Sequence, residues 1–541
     1  MKTRNASLPM TASISVLLLF SAQAAQGQAQ WLVSNQNLNG TRNQSAEHTI
    51  TRANVHTLAA KWVFTTGTTG DYISATPTVY KDAVYFPDAD GNLYAVNTST
   101  GSLIWSNTIT DYDGAKGATS RVSPAVDTVN DQLIIGDNPD AADGGVRFNR
   151  VNRANPVPHA KLPANVLGAN VIAVDLSTGL LKWITKVDET TASEITSPPV
   201  ISGGVVYLGV SSGEEGLTAT EFKTYKCCAF RGSVVALDAK TGKILWQTYT
   251  VPDNGGVPGG YSGGAVWQEP AIDTKRGSLY VGAGNNYTVP ADVEACQNEF
   301  PDYDCTAPDD YFDSVLALDL KTGAVKWARK GREFDTWTVA CVTEKTPNKD
   351  CRVPASPDFD FGGSGPNLLG NIVGFGEKSG LYWALDPATG DLVWVTQVGP
   401  GSDLGGIEWG TATDGKQIYV AISDADQIEY TLPSGKKIKW GSWGALDIAT
   451  GKILWQTPDP TGKGTYDIGS VSVANGVLYA PSESGEVYAL NTATGKILWS
   501  FATGGSVIDG PSIANGALYW GSGYDIGTTN NQVYAFTLGG K

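Results

Sequence analysis

The chain has 541 residues, with Gly 64, Trp 16 and Tyr 22 but only 17% charged residues, the profile of a turn-rich, aromatic, all-β protein. Three widely separated histidines (His48, His56 and His159) exclude a His-rich metal centre and an HExxH site, and leave a Ser/His/Asp triad without support. A formal charge of −16, with Lys and Arg dispersed, argues against nucleic acid or an anionic membrane surface as partner.

At the N-terminus, Lys2 and Arg4 precede the apolar run Ile14–Phe20 and the small-residue stretch Ala22-Gln-Ala24, which reads as a secretory signal peptide over residues 1–24. The run is too short for a transmembrane segment, and a periplasmic or secreted protein is expected. Export makes the six cysteines candidates for disulfides. Cys296/Cys305 and Cys341/Cys351 each flank a short polar loop and read as structural staples, while Cys227 and Cys228 are adjacent.

One phrase recurs seven times: an apolar strand ending in Asp or Asn, a turn through Thr-Gly, and a strand ending in Trp. The copies run from Tyr94 to Trp105, Asp175 to Trp183, Asp238 to Trp246, Asp319 to Trp327, Asp386 to Trp394, Asp447 to Trp455 and Asn491 to Trp499. Asp or Asn opens each turn and Gly supplies a positive φ, so each copy predicts a hairpin. The shortest spacing, from Gly451 to Gly495, suits a bare four-stranded propeller blade, and the longer ones hold the same blade plus inserted loops. An eighth copy is split. Gln532–Phe536 matches its first strand, and the missing partner is Ala60–Gly67 at the other end of the chain. Residues 25–541 are therefore expected to form one all-β, eight-bladed β-propeller whose last blade is closed by N- and C-terminal strands, with the repeated Trp packing between blades.

A propeller is a scaffold, and function is argued from residues that break the repeat. These are Glu214-Glu215, Cys227-Cys228, Trp267, Gly282-Ala-Gly-Asn-Asn286 and Asp335-Thr-Trp337. A disulfide between adjacent cysteines strains the intervening peptide unit and points to a ligand clamp; two free thiols or longer-range pairings are the alternatives. Glu215 and Asn285 carry the oxygen donors that a hard cation such as calcium takes. Asp88-Ala-Asp90-Gly91 lacks the further ligand spacing of a calcium loop and reads as a turn.

With Ser212-Gly-Glu-Glu-Gly216, Cys227-Cys-Ala-Phe-Arg-Gly232, Gly282-Ala-Gly-Asn285 and Gly405-Gly-Ile-Glu-Trp-Gly410, the chain resembles the quinoprotein alcohol dehydrogenases, and within them the polyvinyl-alcohol group, over essentially the whole mature length. The resemblance implies a pyrroloquinoline quinone (PQQ) held between Cys227-Cys228 and Trp267, with calcium on Glu215 and Asn285. It implies Thr196, Lys378 and Arg121 at the polar edge and carboxylates of the quinone, whose negative charge calls for local cations. The implied reaction oxidises an alcohol, a secondary or polymeric one, to a ketone or aldehyde. Asp335 is the candidate base, although the family's base follows a Trp and Asp335 precedes one; Glu408 is the reserve. The mature chain has no CxxCH and no methionine, so electrons would leave to an external cytochrome c. Two readings compete: a non-catalytic propeller scaffold for protein binding in the envelope, and a propeller hydrolase or lectin with Trp337 and Trp409 stacked on sugar rings.

Overall fold

The computed structural model describes the chain apart from residues 2–28, 68–70, 139–167, 191, 219–224, 332, 333, 335, 344–358, 403, 463, 525 and 526. The expected signal peptide lies outside the described residues. Among the described residues, eight antiparallel blade sheets follow one another, with two further two-stranded sheets, Ser262–Gly263 with Asn286–Thr288 and Tyr430–Thr431 with Lys437–Ile438. The innermost strands of the blades are Thr78–Tyr80 in blade 1, Ala125–Asp127 in blade 2, Val200–Ser202 in blade 3 and Ala271–Asp273 in blade 4. Blades 5 to 8 begin with Asn367–Leu368, Ala412–Thr413, Ser472–Ala474 and Ser512–Ala514. Blade 8 is completed by Leu58–Thr65, which pairs antiparallel with Gln532–Leu538 from Leu58↔Leu538 to Thr65↔Gln532. The expected closure between the two ends of the chain is thus formed.

The repeat holds neighbouring blades together through one contact made eight times. The indole N–H of each repeat Trp donates to a backbone carbonyl at the turn of the next blade: Trp62 to Thr98, Trp105 to Leu176, Trp183 to Ala239, Trp246 to Leu320. Trp327 donates to Pro387, Trp394 to Ile448, Trp455 to Thr492, and Trp499 to Leu58, which closes the circle. The Thr-Gly glycine lies flat on the same ring. At Gly242 (φ +72°) a Cβ would stand 2.4 Å from the Trp183 ring, so the turn needs glycine both for its conformation and for the approach.

The segment Trp31–Gln44 runs along the innermost strands of seven blades. Trp31 pairs with Val79, Leu32 O accepts from Val126 N, and Leu38 O accepts from Ile272 N. Asn39 O, Thr41 O and Arg42 O accept from Leu368, Thr413 and Val473, and the Gln44 amide donates to Ile513 O. This strap passes directly beneath the site described next, because Asn35 N donates to Glu269 Oε2, two residues after Trp267.

Candidate active site on the propeller axis

Arg121, Thr196, Trp267 and Glu408 each stand four residues before the first residue of an innermost strand (Ala125, Val200, Ala271 and Ala412). A shared register on radially arranged blades brings these residues to the axis. The Arg121 guanidinium lies 4.9 Å from the Trp409 ring, Trp409 meets the Trp267 ring edge-on at 4.9 Å, and Lys378 Nζ is 5.3 Å from the same Trp267 ring and 5.8 Å from Trp337. Arg121, Trp267 and Lys378 are thus brought together, through Trp409. Blades 7 and 8 carry Ile468 and Ile508 at the equivalent register. Together with Tyr72, Leu404, Tyr466 and Tyr524 they form an apolar wall against Trp409.

The loops bearing the other candidates are joined edge to edge by backbone hydrogen bonds. Gly263 N donates to Phe230 O at 3.0 Å and Gly232 N to Gly263 O at 2.8 Å, tying the cysteine loop to the strand leading to Trp267. Gly264 N donates to Asn285 O at 2.8 Å, and Trp337 N to Asn286 O at 2.9 Å. Gly263 is required at this junction, since at φ +104° a Cβ would lie 2.5 Å from Asn285 O. Asn285 itself is buried, and its side-chain amide donates to Trp337 O at 2.8 Å; Val339 N reaches Glu215 O at 3.3 Å. One segment, 336–340, thus contacts both expected metal ligands. Asp335, the expected base, lies outside the described residues.

Cys227 and Cys228 are joined by a disulfide across a cis peptide bond. Cys228 is fully buried, and Cys227 and Trp267 pack against the same core cluster. Cys296 and Cys305 are also bridged; Cys341 is disulfide-bonded, and its expected partner Cys351 lies outside the described residues. Thr196 shares a hydrogen bond with Ser211 at 2.7 Å. Glu408 is buried and folds back over its own loop, its Oε2 lying 3.0 Å from where a Cβ on Gly405 would be.

Two carboxylates have defined places: Glu214, singled out in the sequence without a role, and Asp360, which sequence reasoning passed over. Glu214 is buried and accepts from Tyr225 Oη at 2.5 Å, Ala229 N at 2.9 Å and Phe230 N at 2.8 Å, so it anchors the backbone immediately after the disulfide. Burial raises its carboxyl above the ordinary range, and these donors oppose that shift. Asp360 is 5% exposed and accepts from Trp267 Nε1 at 3.1 Å through Oδ2, which also lies 3.7 Å from Lys378 Nζ. Gly284, next to Asn285, lacks the Cβ that would stand 3.0 Å from both Asp360 oxygens. The buried Tyr287 hydroxyl donates to Ser212 O and is pushed well up by burial and by the carboxylates of Glu215, Glu214, Asp360 and Glu194 around it. Asp360 carries one legible signal: it falls in Asp358-Phe-Asp-Phe-Gly362, just ahead of an innermost strand, as Trp267 and Glu408 do.

The donor chemistry fits the implied groups. Glu215, Asn285 and Asp360 supply hard oxygens suited to calcium, although among the described residues no three His, Cys, Asp or Glu side chains converge as a metal cluster. Arg121 and Lys378 supply cations for a polycarboxylate, and the buried Trp409 Nε1 has no hydrogen-bond partner among the described residues.

A family model described as glucose/ethanol/alcohol dehydrogenase, beta-propeller domain, matches residues 169–343, and one described as outer membrane protein assembly factor BamB matches residues 22–138 and 441–539. The polyvinylalcohol dehydrogenase of Sphingopyxis sp. (strain 113P3) is 34% identical, over 86% of this chain and 70% of that protein. A polyvinylalcohol dehydrogenase of Pseudomonas sp is 29% identical, over 91% and 74%. The crystal structure of the quinohemoprotein alcohol dehydrogenase of Comamonas testosteroni superimposes with a TM-score of 0.67 at 19% identity, covering 95% of this chain and 81% of that one. The chain belongs to the polyvinylalcohol dehydrogenase family, within the PQQ-dependent quinoprotein alcohol dehydrogenases.

Proposed function

We propose that this protein oxidises secondary hydroxyl groups, including those of a polyvinyl-alcohol-like polymer, to ketones in the periplasm or outside the cell, with PQQ and calcium on the axis and an external cytochrome c as electron acceptor. The observation that carries the reading is the convergence of Asp360, Lys378 and Trp267 beside Asn285. When bound, PQQ supplies the acceptor for the carbinol hydride, and calcium supplies the Lewis acid that polarises it. Glu215 and Asn285 would hold the cation. Arg121, Thr196 and Lys378 would orient the quinone's polar edge, while Cys227-Cys228 and Trp267 would enclose its faces through area and stacking.

Asp360 is the base that the geometry favours, ahead of Glu408, whose carboxylate is turned against its own loop. The Asp360 carboxylate would take the hydroxyl proton. The Trp267 N–H fixes its orientation, and the Lys378 ammonium compensates the charge that would otherwise be costly to bury. The apolar wall of Ile468, Ile508 and Tyr524 opposite the polar set would keep water from the reacting carbon.

The test is an absorbance titration of metal-stripped protein with PQQ, with and without calcium, followed by an alcohol panel with an artificial electron acceptor. Calcium-dependent one-to-one binding and alcohol-driven reduction are expected, with Cys227→Ser folding normally but losing most activity. Absence of quinone binding would overturn the reading in favour of a non-catalytic scaffold.

A further inference from the structure

We propose a second binding site on this protein, a subsite for the non-reacting part of a hydroxyl-bearing chain, which rests on the alcohol-oxidising reading above. A crevice of about 770 Å³ opens behind the cysteine loop. The last residue of the outer strand of blade 2 (Leu181–Lys186) and the stretch after it (Asp188, Glu189, Thr190) form one side, and Tyr225, Lys226 and Tyr249 form the other.

The chemistry of the walls selects the ligand class. Two ammonium groups, Lys186 and Lys226, stand among three carboxylates, Asp188, Glu189 and Glu214, the last already held by Tyr225 Oη, Ala229 N and Phe230 N, so a ligand charged in either sense meets like charge. The lining thus offers both donors and acceptors, together with two tyrosine rings. That set suits a neutral chain whose every hydroxyl both donates and accepts and whose carbon backbone lies on aromatic faces. Tyr249 is fixed for the role, because the Arg231 guanidinium stacks 4.0 Å from its ring centre.

Position links the crevice to the axis. Glu214 is a wall of the crevice, and through Ala229 N and Phe230 N it holds the back of the disulfide loop; the next residue is Glu215. A polymer with one carbinol on the axis has further hydroxyls to place, and binding them at a distance from the chemistry lowers the concentration needed for turnover. A small alcohol has none to place. The crevice therefore discriminates by chain length and leaves the reaction itself untouched.

Two variants test this, Tyr249→Ala, which removes a wall, and Glu189→Trp, which fills the space. Each is compared with the unaltered protein by calorimetric titration of the quinone-free chain with a 1,3-polyol oligomer, and by dye-linked kinetics on that oligomer and on pentan-2-ol. Both variants should weaken oligomer binding and raise its KM about tenfold, with kcat and KM for pentan-2-ol unchanged. Unchanged oligomer binding in both variants, or a parallel loss of kcat on pentan-2-ol, would overturn the subsite. Crevice-dependent oligomer binding by a protein that oxidises neither alcohol would sustain the subsite and overturn the dehydrogenase reading instead.

Discussion

At the scale of single residues, Asp360 shows how burial is turned to use. Its carboxylate is nearly inaccessible, yet the Trp267 N–H and the Lys378 ammonium satisfy it, and the glycine at 284 leaves open the side facing Asn285. Asp360→Asn removes the proton acceptor and keeps the shape. We expect kcat on a secondary alcohol to fall about a thousandfold while calcium-dependent quinone binding, followed by absorbance, persists; a variant retaining near-normal kcat would return the role to Asp335 or Glu408. Much of this site was legible. Adjacent cysteines are rare enough to be noticed, and Trp267 breaks the repeat. Asp360 was harder to read, because the long insertion between blades 4 and 5 hides its register and its partners lie 93 and 18 residues away. Glu214 and Glu215 are neighbours whose different roles, loop anchor and candidate ligand, follow from which way each side chain faces, a matter of tertiary packing.

At the scale of the element, the recurring unit is a hairpin whose turn glycine supports a neighbour's tryptophan. The turn needs a left-handed residue, and the ring needs a surface without a Cβ. The two demands can be separated. Gly203 has φ +60° with open space around it, whereas Gly242 has φ +72° with the Trp183 ring 2.4 Å from a built Cβ. Gly203→Ala should cost only the backbone term, about 1 kcal/mol. Gly242→Ala should cost at least about 2 kcal/mol, since the blade contact opens as well. Urea midpoints at constant slope measure both, and equal losses would show that the ring contact contributes nothing. The seven full copies of this hairpin were readable because the turn chemistry is local, and Asp175 illustrates it: Ser177 and Thr178 donate to its carboxylate and lower it to about 2.

At the scale of the whole molecule, the strap Trp31–Gln44 ties the blades together from beneath the site and buries a charge to do so. Arg42 is 1% exposed and donates to Val471 O, Ser34 O, Thr76 Oγ1 and Ser472 Oγ, with the carboxyls of Glu269 and Asp509 nearby. Burial nevertheless pushes Glu269 up from 4.5 to about 8, the Asn35 amide and Arg42 opposing it, and raises Asp509 in the same direction. A carboxyl that holds its proton more tightly when folded contributes stability in full below its unfolded pKa, and that contribution is lost as pH rises through about 8. The melting temperature should therefore decline between about pH 5 and pH 8, and Glu269→Gln should flatten the decline while leaving the part due to Asp509. A variant with an unchanged slope would show that Glu269 is ionised throughout.

Local signals along the chain carried the all-β class, the blade count, the closure of the ring by its two ends and the cysteine and tryptophan pair of the candidate site. These follow from short-range turn chemistry and from a period that repeats whatever the inserted loops contain. Tertiary structure alone decided which carboxylate meets Lys378, that the N-terminal segment crosses seven blades, and that Arg42, Glu269 and Asp509 share one buried environment. Those contacts join positions from separate blades at the axis, where the distance between residues is set by the radius of the ring and by no spacing along the chain.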